Sequence, residues 1–439
     1  MSGSRLLTSE DVALCDLPNV HPISYTRYLE AGGYQGLLRA AERSAEAVRD
    51  TVKQSGLLGR GGAGFPTWKK WEHVAVRHST EKYVVCNAAE DEPGTFKDRY
   101  LLRHNPHQIL EGALIAAHAV TAQTVYLYIN GRYTEEIIWM QQAITAFLGN
   151  AFPRKFLSDF LTHLDIRVVK SPGTYVAGEE TAALEVIEGR VAAPRQKPPY
   201  YPAASGLYQC PTLVNNAETL AHIPSILREG PEYFRNIGNG QGTMLFTLTG
   251  QVCRPGIYER PLGTPISELI LTCGQGIKNQ KNLKAFFPGG PSNAILLAEH
   301  LNVPLDFQAL RKAGASLGTG AIIVMSEETC MVQAALEYSR FFAKESCGQC
   351  PPCVLGLLHL ADTIEKIENG EGEAADLKRV SQITEMIKGR GLCYLLTGAA
   401  VAVESILAHF RDEFEAHIDA GCPFNLSASP LACPALQSH

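Results

Sequence analysis

Three short β-rich runs set the architecture: Lys82-Tyr-Val-Val-Cys-Asn87, Thr124-Val-Tyr-Leu-Tyr-Ile-Asn130 and Asp165-Ile-Arg-Val-Val169. Between the first two, Ile109, Leu110, Ala113, Leu114, Ala117 and Val120 recur at helical spacing. Between the second and third, a helix is expected over roughly Glu135 to Phe147. Strand, helix, strand, helix, strand implies a parallel, twisted sheet with crossover helices, an α/β domain. Ligands on such sheets sit at the carboxyl ends of the strands. That edge carries Asn87 and the segment after Val169.

Outward from this stretch, the same alternation extends from about Tyr25 to Gly230. From about Thr243 to Met325 the texture changes to short β runs (Met244–Leu248, Ile257–Glu259, Lys284–Phe287, Ala321–Met325) around one short helix signal near Ile266–Leu271, an α+β module. From about Glu327 the chain turns helical. Three or four helices are expected, broken at a cysteine-rich loop, at Asn369-Gly-Glu-Gly372 and at Lys388-Gly-Arg-Gly391. The expected domains are therefore 1–240, 241–326 and 327–439.

The totals narrow the function. In 439 residues, 39 Lys and Arg stand against 45 Asp and Glu, a formal charge of −6. No basic surface emerges, which argues against a nucleic-acid partner. No apolar run approaches the roughly 18 residues of a membrane-spanning helix. The opening MSGSRLLTSEDVALC has no apolar core of a targeting signal. A reducing compartment is expected, so the 12 cysteines are thiols or metal ligands before they are disulfides.

The strongest chemical signal is Cys347-Gly-Gln-Cys350-Pro-Pro-Cys353, with Cys393 forty positions on. Gly and Pro between the cysteines curl a loop so that three thiolates converge, and a distant fourth completes the set. Zinc usually takes two separate C-x-x-C knuckles. A tight triplet with a remote fourth fits a cubane [4Fe–4S] better. Cys15, Cys86, Cys210, Cys253, Cys273 and Cys330 lie singly and read as small buried hydrophobes. Cys422 and Cys433 flank a Pro-containing tail, and a tail-held metal or disulfide is the alternative there to plain thiols.

Gly59-Arg-Gly61-Gly-Ala-Gly64 satisfies G-x-G-x-x-G literally, but not in context. It follows an expected helix, Ala45 to Gln54, closed by Gly56, rather than a strand. What survives is physical: backbone amides in such a loop can approach a flat or phosphorylated ligand closely. Lys69, Lys70 and Trp71 follow, offering charge and a stacking face. Two acidic clusters, Glu90-Asp91-Glu92 and Glu179-Glu180, follow strand ends, where acids either accept hydrogen bonds from ligand hydroxyls or offset a helix dipole. Lys197-Pro-Pro-Tyr200 and Asn215-Asn216-Ala-Glu218-Thr219 are further candidates, each a plain loop by default. A one-electron cluster beside a nucleotide site calls for a cofactor stable with zero, one or two electrons, and a flavin is such a cofactor.

Together, Leu58–Trp71 (LGRGGAGFPTWKKW), Asn87–Arg99 (NAAEDEPGTFKDR), Gly178–Thr181, Lys197–Tyr200, Asn215–Thr219 and the four cysteines resemble the NADH-oxidising flavoprotein subunit of respiratory complex I. The related diaphorase subunits of NAD-linked hydrogenases and formate dehydrogenases share these motifs. The resemblance spans about Tyr25 to Phe414. It implies a Rossmann-like domain binding FMN and NADH, then a ubiquitin-like β-grasp module, then a helical bundle holding [4Fe–4S]. By motif match, Gly61, Gly62, Gly64, Lys70, Asn87, Gly178, Asn215 and Asn216 would contact FMN. Phe65, Glu92, Glu180, Lys197 and Tyr200 would contact NADH. Glu90, Glu179 and Thr219 complete the implied cofactor set, and Glu92 and Glu180 are the implied catalytic carboxylates. FMN would accept hydride and pass electrons singly to the cluster on Cys347, Cys350, Cys353 and Cys393. The implied partners are a thioredoxin-like [2Fe–2S] subunit and a larger iron–sulfur subunit. The implied location is cytoplasmic, peripheral to the inner face of the cell membrane through those partners.

This chain departs from the pattern at several positions. Ala89 stands where the family usually has aspartate, Trp68 where it has glycine, and His73 where it has an aromatic. Ser171-Pro-Gly-Thr-Tyr175-Val-Ala177 replaces a glycine- and alanine-rich turn. One extra residue in Lys197-Pro-Pro-Tyr-Tyr201-Pro leaves Tyr200 or Tyr201 as the stacking ring. Three readings result: an NADH-oxidising electron-entry subunit, a diaphorase running in the direction of NAD⁺ reduction, and a relay that keeps the cluster but has lost FMN.

Overall fold

The computed structural model describes residues 6–8, 10–150 and 164–424. The chain divides into two compact units. Unit 1 comprises residues 1–91, 96–245 and 259–263; unit 2 comprises 92–95, 246–258 and 264–439.

Unit 1 is built on a four-stranded parallel sheet in the order Asp165–Ser171, Thr124–Asn130, Tyr83–Ala88, Thr212–Asn216. Three of these strands are legible from their β-branched and aromatic runs. The fourth, Thr212–Asn216, is a correction to the loop reading of Asn215-Asn216. Its five residues pair in parallel with Tyr83–Ala88, setting Asn87 opposite Asn216 and Cys86 opposite Asn215. The chain steps outward along the sheet from Tyr83–Ala88 and then returns to its other side. The strand order therefore reverses between Tyr83–Ala88 and Thr212–Asn216, and a crevice opens outside the carboxyl ends of strands at such a reversal.

Helices Pro106–Val120 and Thr134–Gly149 supply the crossovers. Pro106–Val120 is buried nearly all round, as its even apolar composition requires. Helix Ala45–Ser55 ends where expected, on Gly56 at φ 71°. Tyr83, Val85, Tyr126, Tyr128, Ala183, Leu184, Leu207 and Val214 form an apolar cluster on one face of the sheet.

A mixed sheet, most of whose residues belong to unit 2, includes strands in the order Gly256–Pro261, Thr243–Gly250, Ala321–Ser326, Leu283–Phe287, Leu296–Leu297. Ala321–Ser326 runs parallel to Thr243–Gly250 and antiparallel to Leu283–Phe287, the mixed pairing of an α+β module. The helical region holds five helices among the described residues: Met331–Lys344, Pro351–Glu368, Ala374–Ile387, Leu395–His409 and Arg411–Ala420. This exceeds the expected three or four, because the last break falls at Phe410, which carries no Gly or Pro signal. Among the described residues no helix is long and apolar enough to cross a membrane.

Candidate functional site

The glycine loop in unit 1 is closed at its base. Gly59 N–H donates to Phe65 O (2.9 Å) and Thr67 N–H to Leu57 O (3.1 Å). Helix Thr67–Ala75 starts directly from it. Within the loop, a Cβ on Gly61 would stand 3.1 Å from Asn216 Cβ, while Gly62 (φ 124°) faces open space. The loop thus keeps its backbone uncovered beside the carboxyl edge of the sheet, a cradle suited to a flat, phosphorylated cofactor.

Arg60, between the first two glycines of the motif, anchors this loop. Its side chain is fully buried and donates to three carbonyls: Leu58 O (2.9 Å), Gln241 O (2.6 Å) and Thr243 O (2.9 Å). Its backbone N–H donates to Thr219 Oγ1 (2.8 Å). Thr219 is itself fully buried, so its hydroxyl holds the loop from behind.

Helix Thr67–Ala75 turns two side chains towards Thr212–Asn216. Lys70 Nζ pairs with Glu180 Oε2 (2.8 Å) and donates to Val214 O (3.3 Å). Trp71 is fully buried, and its Nε1–H donates to Asn215 Oδ1 (2.9 Å). This corrects the expectation that Trp71 offers a stacking face: its ring belongs to the core and its N–H positions Asn215. Trp68 takes another direction, under the ammonium groups of Lys53 (4.9 Å) and Lys69 (5.6 Å).

At the sheet edge, Asn87 Nδ2–H donates to Gly178 O (2.8 Å) and Asn216 Nδ2–H to Asn87 O (3.4 Å). A Cβ on Gly178 would lie 2.8 Å from Ala89 O, too close for a side chain. The Ala89 methyl packs on the apolar cluster under the sheet.

The two acidic clusters resolve into capping and non-capping members. Glu90 accepts from Asp98 N (2.9 Å) and Arg99 N (3.0 Å) at the start of helix Lys97–His104, and burial pushes its carboxyl up to about 8. Glu179 accepts from Thr181 N (2.8 Å) and Ala182 N (3.0 Å), capping helix Glu180–Ile187. Glu180 is left to the ammonium groups of Lys70 and Lys197, the latter at 3.1 Å. Burial opposes ionisation of Glu180, but the two cations prevail and hold its carboxyl at about 2. Lys197 also reaches Glu179 Oε1 (2.7 Å). Phe65 (41% exposed) and Tyr200 (48%) present open ring faces, as does Tyr201 (49%).

Behind this edge lies a buried charge network. Lys97 Nζ pairs with Asp98 Oδ1 (2.8 Å) and Glu218 Oε2 (3.1 Å), all three side chains at most 5% exposed. Asn216 joins it, donating to Asp98 Oδ2 (2.6 Å) and accepting from Lys97 (3.2 Å). Glu218 Oε1 accepts from Leu245 N (2.8 Å). The charged pair Lys97-Asp98 in a short motif between a strand and a helix was the available signal for this network.

Glu92 belongs to unit 2. It sits against the loop at Gly290 (φ 94°), where a Cβ would meet its Oε1 at 2.5 Å, and it accepts from Ser292 N (3.4 Å). Loss of solvent pushes its carboxyl up to about 7.

The cysteine loop also lies in unit 2. Cys350 immediately precedes helix Pro351–Glu368, with Pro351 in its first turn, and Cys353 follows buried in that turn. Leu392 N–H donates to Cys350 Sγ (3.4 Å), tying the segment of Cys393 to the triplet. Ser346 Oγ lies 3.3 Å from Cys353 Sγ. Burial, and then the neighbouring Cys350 and Cys347 sulfurs, push the Cys353 thiol up. Among the described residues, the one group of three or more possible ligands drawn within 4.8 Å of one another lies elsewhere. Cys433 lies outside the described residues.

Comparison with known proteins agrees with this geometry. Residues 52–225 match the Nuo51 FMN-binding domain, 245–295 the SLBB domain, and 333–417 the NADH-ubiquinone oxidoreductase-F iron-sulfur binding region. The second F subunit of the NADH-quinone oxidoreductase of Rhizobium meliloti is 42% identical over 93% of this chain and 98% of its own. The chain belongs to the family of NADH-quinone oxidoreductase F subunits. The F subunit of Streptomyces coelicolor is 40% identical over 92% of this chain and 90% of its own. In fold, the chain is similar to NAD⁺-reducing [NiFe]-hydrogenase in the H₂-reduced state (TM-score 0.79, 33% identity). That match covers 87% of this chain but 64% of the hydrogenase chain, so this protein spans about two thirds of its length. As a member of this family it is an NADH-oxidising flavoprotein that admits electrons to a larger redox complex, with FMN and [4Fe–4S] as cofactors.

Proposed function

We propose that the shelf formed by Gly61, Gly62, Gly64, Lys70, Asn87, Gly178, Asn215 and Asn216 holds FMN. The supporting observation is the parallel register of Asn87 with Asn216 at the strand-order reversal, directly beside an uncovered glycine loop. FMN, when bound, supplies the exchange between two-electron and one-electron chemistry. The residues do the rest. Asn87 and Asn216 fix the sheet edge, Arg60 and Thr219 hold the loop in place, and Lys70 contributes positive charge against the reduced cofactor. Glu180 and Lys197 form a fixed ion pair to orient NADH hydroxyls, with Phe65 and Tyr200 as rings for the adenine. Glu90 and Glu179 act one step back, as the caps that hold their helices. Cys347, Cys350, Cys353 and Cys393 hold the cluster.

The relay reading, in which FMN is lost, rests on Ala89 and Trp68. Ala89 packs against the apolar cluster and the Trp68 ring lies under two lysines, so neither needs to fill the shelf. A diaphorase reading is favoured by one finding, the fold similarity to an NAD⁺-reducing hydrogenase. We assign domain limits of 1–240, 241–326 and 327–439, a thioredoxin-like [2Fe–2S] subunit and a larger iron–sulfur subunit as partners, and a cytoplasmic location beside the membrane through those partners. The test is anaerobic purification of the chain with FMN supplied. One flavin per chain, bleached by NADH, is the expected result; a flavin-free chain with a full complement of iron would overturn the assignment of the shelf.

A further inference from the structure

A second group of metal-binding side chains lies in unit 2. Cys330, Glu368, His417 and Cys422 bring one ligand atom each to within 4.8 Å of the others. They come from four places in the chain. Cys330 caps helix Met331–Lys344, Glu368 ends helix Pro351–Glu368, His417 lies on Arg411–Ala420, and Cys422 follows that helix.

The separations are those of a small tetrahedron. Cys330 Sγ is 3.2 Å from His417 Nε2, 3.8 Å from Glu368 Oε2 and 3.8 Å from Cys422 Sγ. His417 Nε2 is 3.4 Å from Glu368 Oε2. Zinc bonds of about 2.0 Å to N and O and about 2.3 Å to S give edges of about 3.3–3.8 Å. We propose that Cys330, Glu368, His417 and Cys422 form a structural site for one Zn²⁺ ion, distinct from the cysteines of the cluster loop.

Two further observations point the same way. Glu368 is 9% exposed, and its Oε1 is buried with no hydrogen-bond partner. A buried carboxylate with one oxygen left unsatisfied is unfavourable, and a cation beside the group offsets part of that cost by neutralising its charge. His417 is fully buried, and its Nδ1–H donates to Glu413 O (2.6 Å). That bond leaves the Nε2 lone pair facing the group, the usual arrangement behind a metal-bound histidine. Glu413 is fixed in turn by Lys284 (2.6 Å) and by Met331 N–H (3.1 Å). Two sulfurs, an imidazole and a carboxylate suit zinc better than the hard cations, which take oxygen alone. On binding, the Cys330 and Cys422 thiols release their protons to solvent and no electrons move. The ion would fasten residues 417–422 to the start of the helix that leads into the cluster loop.

The test uses the full chain carrying its iron. Metal analysis should find one zinc besides four irons. Zinc-edge X-ray absorption, which reads zinc alone, should show two sulfurs at about 2.3 Å and two nitrogen or oxygen ligands at about 2.0 Å. Cys422→Ser should remove at least nine-tenths of the zinc and leave the four irons. His417→Gln serves as a second variant should Cys422→Ser fail to fold. A chain without zinc after incubation with Zn²⁺ would overturn the proposal. So would a zinc shell of any other composition, zinc unchanged in both variants, or a Cys330–Cys422 disulfide seen as a deficit of about 2 Da in intact mass by the usual loss of two hydrogens.

Discussion

The shelf proposed in unit 1 and the cysteine loop of unit 2 would bind in opposite ways. In the proposed assignment the loop would contribute side chains, four thiolates that a metal cluster joins covalently, so four letters of sequence would carry the function. The shelf contributes backbone and prearranged pairs. Lys70, Glu180, Lys197, Asn87 and Asn216 already satisfy one another, and the groups that hold them (Arg60, Lys97, Asp98, Glu218) are buried behind. A covalent site tolerates drift around it, whereas a prearranged site depends on its support.

The largest expected effect is at the loop. Cys350→Ser should abolish transfer beyond the flavin, with the iron signal lost, while NADH still bleaches the flavin. An unchanged electron paramagnetic signal would mean the ligand set is wrong. At the shelf, the vulnerable point is its support. Lys97→Met would strand two buried carboxylates, a change worth about 3–5 kcal/mol. Thermal melting of the full chain should fall by roughly 10 °C, together with flavin retention. An unshifted melting curve would show that the network behind Asn216 contributes nothing to the fold.

Glu180→Gln removes the partner of two ammonium groups while keeping its shape. The KM for NADH should rise about tenfold, or about 1.4 kcal/mol, with flavin content unchanged. Loss of flavin instead would move Glu180 into the FMN set.

The two carboxylates implied as catalytic also differ in protonation. Glu180, held at about 2, stays ionised throughout the working range, so it gives no inflection there. Its ionic stabilisation is present above its unfolded value and lost only as pH falls towards 2. Glu92, raised to about 7, is protonated below that value and ionised above it. Because the unfolded chain releases this proton near the ordinary 4.5, its contribution to stability declines between those values as pH rises. NADH-driven flavin reduction should therefore show an inflection near pH 7 that Glu92→Gln removes. Its persistence in the variant would dismiss Glu92 from the reaction.

The smallest effect is expected at Ala89→Asp. With the methyl site facing an apolar cluster, the restored family residue should alter FMN affinity by less than about fivefold, roughly 1 kcal/mol. A gain well beyond that would show that a hydroxyl partner is missing there.

Much of this is legible in the residues themselves. Local signals carry three strands, the Ala45–Ser55 helix with its Gly56 stop, and the C-x-x-C-x-x-C loop with its distant fourth cysteine. Each depends on spacing and intrinsic preference along a few consecutive positions. Thr212–Asn216 has no such signal. Five residues ending in two asparagines read as a loop until Tyr83–Ala88, more than a hundred positions away, supplies their hydrogen bonds. Likewise Trp71 reads as a surface ring, and only packing makes it a buried donor. Cys330 reads as a solitary buried thiol because 87 positions separate it from His417. The linear chain thus determined which chemistry is present: thiolates, a glycine cradle, paired acids and bases. Tertiary structure decided which of these groups meet, because the strand-order reversal, the buried charge network and the Cys330 group arise from pairings between distant segments that no local pattern encodes.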